Sequence, residues 1–162
     1  MSNYLEIVAD IKAKLLTITG IGQVHDYDRR SNTEKAFMDL FTVDAGAGKK
    51  KIIGWEITRS SARETKRGNT FLRHHRMKCS GYMGIQDELK SDHDFQVLVD
   101  TISDTFRVGD PAAGEIAPWF YMDGLNPGNS CVQVEVIDQR MFGAFLCHHA
   151  DVYITVTERI VA

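Results

Sequence analysis

Residues 52–58, IIGWEIT, and residues 71–82, FLRHHRMKCSGY, decide how this chain is organised. In the first stretch, Ile53, Trp55 and Ile57 alternate with smaller or polar residues, a period of two that is typical of a half-buried strand. The second stretch has the length of another strand. Two long strands so close in sequence predict an antiparallel hairpin at the centre of the fold.

The segment between these strands, residues 59–70, RSSARETKRGNT, is basic and lacks apolar periodicity. Tight hairpins use about two to five loop residues, and longer loops are usually functional or disordered. The sequence therefore predicts a long basic loop that is mobile in the free protein and is ordered by a neighbour. Its candidate contact residues are Arg59, Arg63, Lys66 and Arg67.

Apolar residues recur at helical spacing in residues 4–16 and 92–107. Asn3 and Glu6 are spaced as a capping box at the start of the first helix. Between the first helix and the hairpin we expect a short strand over residues 23–29. We also expect a short helix capped by Thr33 and reaching Phe41, or alternatively a strand over 37–43, and then a glycine-rich turn at 44–48.

Strands are predicted over residues 131–137 and 146–157, with a turn around Arg140–Gly143. A long loop, residues 110–130, precedes them. Its aromatic cluster is either a lid over the protein's own sheet or an exposed interface patch. The cluster runs from Trp119 to Met122, and its aromatic residues are Trp119, Phe120 and Tyr121.

The element order predicts a single α+β domain spanning residues 1–162. We expect a mostly antiparallel sheet, two main helices packed on one of its faces, and the long central hairpin. A hydrophobic fraction of 43% and a charged fraction of 25% fit a globular chain. We expect no signal peptide, no membrane segment, and three reduced cysteines in a cytoplasmic compartment.

Charge is unevenly distributed along the chain. Residues 49–78 hold ten Lys or Arg and two Glu, a net +8, whereas the whole chain carries −3 and the remainder therefore −11. Such separation favours oriented contact with a charged partner or with another copy of the chain.

Two histidine pairs, His74-His75 and His148-His149, are the most conspicuous candidates for metal ligands. Consecutive side chains on a strand point to opposite faces, so neither pair can bind one ion. Cys147 and His149 share a face but supply only two ligands. The sequence therefore predicts surface histidines, buried cysteines, and no metal or cofactor.

The acid pairs Asp26/Asp28 and Asp92/Asp94 offer acid–base chemistry, but local stabilisation explains both, the second at a helix start. No G-x-S-x-G stretch presents a nucleophile. We predict that the protein is not an enzyme.

The element order, residues 53–59 (IGWEITR) and residues 140–148 (RMFGAFLCH) together resemble the tail terminator proteins of phages and prophages, also called tail completion or head–tail joining proteins. The resemblance implies a small α/β subunit that forms a ring, commonly a hexamer. Such a ring caps the tail tube, stops its polymerisation, and provides a docking surface for the head connector or neck protein. It also implies a virion location after assembly in the host cytoplasm, and no catalytic residues to transfer.

One alternative is a nucleic-acid-binding protein that uses the basic hairpin, residues 59–78. The clustering of Lys and Arg fits this function. The sequence pI of about 6.0 and the lack of a DNA-binding helix pair or an RNA-stacking motif disfavour it. A metal-dependent enzyme is a third and less favoured alternative.

Overall fold

The computed structural model describes residues 3–29, 33–107, 118–126 and 128–161. Three α-helices and seven strands occur in these ranges, together with one 3-10 turn, Asp87–Leu89. The elements are α1 (Tyr4–Leu16), β1 (Gln23–His25), α2 (Glu34–Phe41), β2 (Thr42–Asp44), β3 (Lys50–Arg67), β4 (Thr70–Gly84), α3 (Ser91–Arg107), β5 (Trp119–Tyr121), β6 (Val132–Phe142) and β7 (Phe145–Val161).

The described strands form one mixed sheet in the order β1-β3-β4-β7-β5, with β2 also beside β3 and β6 also beside β7. Only the pairing of β1 with β3 is parallel among these strands. The predicted α+β class, the mostly antiparallel sheet and the central hairpin are confirmed.

Helices α1 and α3 pack on one face of the sheet, which we call the helix face. Ile53, Trp55 and Ile57 point into this layer, as their alternation predicts, and the Trp55 ring stacks on Phe95 of α3 at 6.2 Å. The large core cluster also includes the stripe of α1 formed by Ile7, Val8, Ile11 and Leu15. Burial of this stripe and of the apolar stripe of α3 holds the two helices on the sheet.

The remaining helix, α2, lies on the opposite face, which we call the polar face. Gly54 points there, and a side-chain carbon at Gly54 would lie 2.6 Å from the Phe41 ring. Phe41 therefore packs directly over glycine. The predicted cap is confirmed, since the Thr33 hydroxyl oxygen accepts a hydrogen bond from the Ala36 N–H at 3.2 Å.

The prediction of a long basic loop over residues 59–70 is wrong. Strand β3 continues to Arg67, and β4 starts at Thr70, so the turn contains only Gly68 and Asn69. Gly68 has φ +60°, which suits the first position of a two-residue hairpin turn. The hairpin tip needs no apolar core of its own, because β4 also pairs with the end of β7 out to residue 161.

Three smaller predictions are corrected. The Asn3 side chain makes no capping hydrogen bond, and its backbone N–H is bonded elsewhere. The first strand covers only Gln23–His25. The final hairpin is longer than predicted, with Arg140 inside β6 and only Gly143 and Ala144 in the turn. Of the predicted loop at residues 110–130, positions 110–117 and 127 lie outside the described residues.

Candidate functional site

The outer edge of β3 is the most distinctive surface of the molecule. Strands β1 and β2 cover β3 only at residues 50–56. From Thr58 to Arg67, no described strand pairs with this edge. Unpaired edges present a row of backbone donors and acceptors that can bind another strand.

The four predicted contact residues all lie on this edge and are exposed. Their register places them on both faces of the sheet. Arg59 and Lys66 point to the helix face, opposite Met77 and Phe71, whereas Arg63 and Arg67 point to the polar face. The structure therefore places the four cations along one strand rather than in a loop.

Aromatic rings support two of these cations. The Arg59 guanidinium lies 4.4 Å from the Tyr4 ring centroid, and the Lys66 ammonium lies 5.6 Å from that of Phe71. Such contacts hold the side chains in place while the charges stay in water. Glu64, the acid on the same edge, is bonded to Arg73. The edge, which we call the basic edge (residues 58–67), therefore presents net positive charge.

A buried ionic network lies beneath the basic edge. The Glu158 carboxylate accepts hydrogen bonds from the Asn3 backbone N–H and from His75 Nε2, both at 2.8 Å, and Arg73 lies 3.6 Å away. Burial acts to raise the pKa of Glu158, but these partners outweigh it and hold the pKa below its usual value. The network connects β4, β7 and the start of α1.

All four paired histidines are buried, and the prediction that they lie on the surface is wrong. Buried polar partners make this possible. The two ring nitrogens of His74 lie 3.0 Å from the hydroxyl oxygens of Thr65 and Thr157, and burial lowers the pKa of His74. Thr157 is 83 positions away, and Thr65 reaches His74 only through the register of the hairpin, so no local signal could have identified them.

A group with the Ser-His-Asp order of contacts of a hydrolase triad is formed by Ser91, His148 and Asp92. A search for G-x-S-x-G could not detect it. Ser91 Oγ lies 2.9 Å from His148 Nε2, but His148 Nδ1 is 3.8 Å from Asp92, too long for a hydrogen bond. The Ser91 hydroxyl also accepts the Gln86 N–H and is buried. These contacts fix the start of α3 and leave no accessible nucleophile in this group.

A second polar cluster lies on the polar face around His149. Its Nδ1 is 3.0 Å from Asp138 and its Nε2 is 3.4 Å from Asp151, whose carboxylate also accepts the Ser80 hydroxyl at 2.6 Å. Burial lowers the pKa of His149, although Asp151 opposes this shift. The serine proton is held by a carboxylate, so this arrangement does not activate the serine through the histidine.

The cysteines are free and buried, as predicted. Burial raises the pKa of Cys79 to about 12 and that of Cys147 to about 11, which disfavours the thiolate that binds metals. In the part of the chain that the structure describes, no group of three or more His, Cys, Asp or Glu could hold a metal ion.

The aromatic cluster forms strand β5 beside β7. Trp119 and Tyr121 are half-buried and pack against the main core cluster. The Tyr121 hydroxyl donates to Asp10 of α1, and its ring meets Phe106 edge-on. These contacts favour the lid interpretation for Trp119 and Tyr121. An interface role for Phe120 stays a prediction.

A cavity of about 290 Å³ lies beside α3, and one of about 330 Å³ lies between the polar face and the loop at residues 123–126. The larger cavity contacts the basic edge through Ser61 and Arg63. Asp123, in its wall, is held by the backbone N–H groups of Leu125 and Asn126. This cavity extends the polar surface on one side of the basic edge.

Comparison with protein-family models gives no match, and no curated protein matches this chain. Among the described residues, no helix is long and apolar enough to cross a bilayer.

Proposed function

We propose that this protein is a structural subunit that forms a ring on the end of a phage tail tube. The ring would stop tube polymerisation and offer a surface to the head connector or neck protein. A hexamer is the stoichiometry that the family resemblance favours. The partners would be other copies of the chain, the tail tube protein and the connector, in a virion assembled in the host cytoplasm.

The observation that supports this proposal is the basic edge. Ten consecutive residues of an open strand present four exposed cations, while the rest of the chain carries the compensating negative charge. A ring uses contacts in which one patch meets a different patch on the next copy. An open positive edge and an acidic remainder are suited to such contacts, or to contact with an acidic surface of the tube.

The test is reversal of Arg59, Arg63, Lys66 and Arg67 to Glu in one variant. A single exposed ion pair is worth about 0–1 kcal/mol, so one substitution should be tolerated. Four reversals act at every interface of the ring and should give folded monomer. In infected cells, we expect tails of uncontrolled length or heads that fail to join tails.

A matched control reverses four exposed lysines outside the basic edge, Lys35, Lys49, Lys50 and Lys90, which changes the net charge equally. The control should assemble and give normal particles. If the variant at the basic edge also gives normal infectious particles, the proposed role of this edge is wrong. Normal tail length and head joining after deletion of the gene would refute the function itself.

Nucleic-acid binding is the second candidate, and the same four exposed cations favour it. It predicts binding to duplex or single strands whose affinity falls steeply with salt. The fourfold reversal should then abolish binding while leaving the oligomeric state unchanged. Sizing and a salt titration on the same two variants separate the candidates.

A further inference from the structure

A second open edge lies at the other side of the sheet. Strand β6 pairs only with β7 among the described strands, so no described strand covers its outer side. Val134, Ile137 and Met141 are exposed apolar residues on this strand. Their concentration on an unpaired edge is typical of a surface that is covered by a partner.

The two open edges are compatible in direction. Each neighbouring pair in the order β3-β4-β7-β6 is antiparallel, so β6 runs opposite to β3. A second copy placed beside the first in the same orientation brings its β6 antiparallel to β3 of the first. The helix faces of both copies then stay on the same side of a continuous sheet.

The turn between β3 and β4 determines which backbone groups of β3 point away from β4. The turn at Gly68 closes on a bonded pair, Arg67 and Thr70, and bonded and non-bonded pairs alternate from there. The free N–H and C=O groups of β3 therefore belong to three residues that all place their side chains on the helix face. They are Ala62, Glu64 and Lys66.

The same reasoning applies to β6, whose turn closes on the pair Phe142 and Phe145. Its outward backbone groups belong to Ile137, Gln139 and Met141. These side chains are also on the helix face, because their partners on β7 are Ala150, His148 and Leu146. Opposed residues of an antiparallel pair share a face. The two edges therefore match in hydrogen-bonding pattern as well as in direction.

Charge selects between the possible pairings. The basic edge has four cations and one acid, a net +3, so two copies of β3 would place like charges opposite each other. On β6, the acids Glu135 and Asp138 outnumber the one cation, Arg140, although both acids also pair within the subunit, Glu135 with Arg76 and Asp138 with Arg140 and His149. The basic edge thus repels a second copy of itself, and pairing with β6 avoids this repulsion.

We infer that the basic edge of β3 pairs with the outer edge of β6 from a second copy of this chain. The inference rests on the proposed function for the nature of the partner. The outward residues of β6 are centred on Gln139, which lies level with Ile53, whereas those of the basic edge are centred on Glu64. Pairing therefore displaces successive copies by roughly 33 Å along the strands, and closure into a ring inclines the strands to the ring axis.

The experiment uses one proline on each edge. Ala62→Pro and Gln139→Pro each remove an outward N–H, where an edge strand tolerates proline. The matched controls, Ala62→Thr and Gln139→Thr, keep that N–H. Circular dichroism and thermal unfolding check the fold, and light scattering after gel filtration gives the mass.

The wild type and both threonine controls should form oligomers, and each proline variant should be a monomer of 18.2 kDa. An equimolar mixture of the two proline variants retains one intact β3 edge and one intact β6 edge. It should form a dimer and nothing larger. A monomeric wild type overturns the inference. So does a proline variant that still assembles alone, because it pairs through one edge with itself or through another surface.

Amide hydrogen exchange on the wild type gives a second measurement that needs no variant. The outward amides of Ala62, Glu64 and Lys66 should exchange slowly in the oligomer and fast after dilution to monomer. Equal exchange in both states overturns the pairing. If oligomers pair by these edges but tail length does not depend on the protein, only the tail function is refuted. If proline variants still assemble and still control tail length, only the pairing is refuted.

Discussion

His75 Nε2 lies 2.8 Å from Glu158 Oε2, and both side chains are fully buried although they are 83 positions apart in the chain. The same carboxylate binds the Asn3 N–H, so one group fixes the start of α1 to β4 and β7. Tyr4 follows Asn3, stacks on the His75 ring and supports Arg59. The basic edge is therefore connected to the core through this buried carboxylate.

Replacing Glu158 with Gln should lower the free energy of unfolding by about 3 kcal/mol at pH 7, because it removes the negative charge that the buried partners of this carboxylate face. The folded-state pKa of Glu158 lies below its usual value, so its contribution is present above the unfolded pKa and is lost as pH falls through the folded pKa. Urea unfolding should show a smaller difference between variant and wild type near pH 3 than at pH 7.

Glu64→Gln is the matched control, since Glu64 also binds Arg73 but at an exposed position. Its cost should be about 0–1 kcal/mol. Equal losses for the two variants would show that burial of Glu158 does not matter to its contribution.

The Trp55 ring lies directly over Gly81 of the neighbouring strand β4. A side-chain carbon at this position would lie 2.4 Å from two Trp55 ring atoms. Gly81→Ala should therefore displace Trp55 from Phe95 and destabilise the fold by about 1–3 kcal/mol. Chemical denaturation followed by tryptophan fluorescence measures this loss.

Gly84→Ala serves as the comparison, since its nearest contact would be Ile52 at 3.3 Å. This variant should lose less stability than Gly81→Ala. The reverse order would mean that the Trp55 ring is free to move.

His74 should make the stability of the protein sensitive to mild acid. Its pKa is lowered by burial, so the unfolded chain takes up the proton first, and stability falls as pH drops below the unfolded value of about 6.5. His74→Gln removes this dependence, and the slope of unfolding free energy between pH 7 and pH 5 should decrease by up to about 1.4 kcal/mol per pH unit. An unchanged slope would assign the titration to other groups, among them His149.

Cys147 and His149 are expected to have structural roles only. Replacing either with Ala should lower the unfolding free energy by about 1–3 kcal/mol, because both are buried, and should leave assembly otherwise unaffected. Elemental analysis of the purified protein accompanies this test. A stoichiometric, tightly bound transition metal would contradict the prediction that the chain holds none.

Periodicity in the sequence determined the elements that bury apolar side chains. The alternation at Ile53, Trp55 and Ile57 predicted β3, and the stripe from Phe95 to Phe106 predicted α3, because each pattern records which face must leave water. The Thr33 cap was also predictable, since its hydrogen bond to Ala36 is local. The positive charge of the hairpin could be counted directly.

Only the tertiary structure decided the state of the polar segments. Residues 59–67 have no apolar pattern, yet they are a strand, because backbone pairing with β4 requires none. The histidines are buried because Thr157, Glu158 and Ser91 reach them from distant parts of the chain. Hydrogen bonds of this kind depend on which strands become neighbours, and a pattern read along one chain carries no record of that.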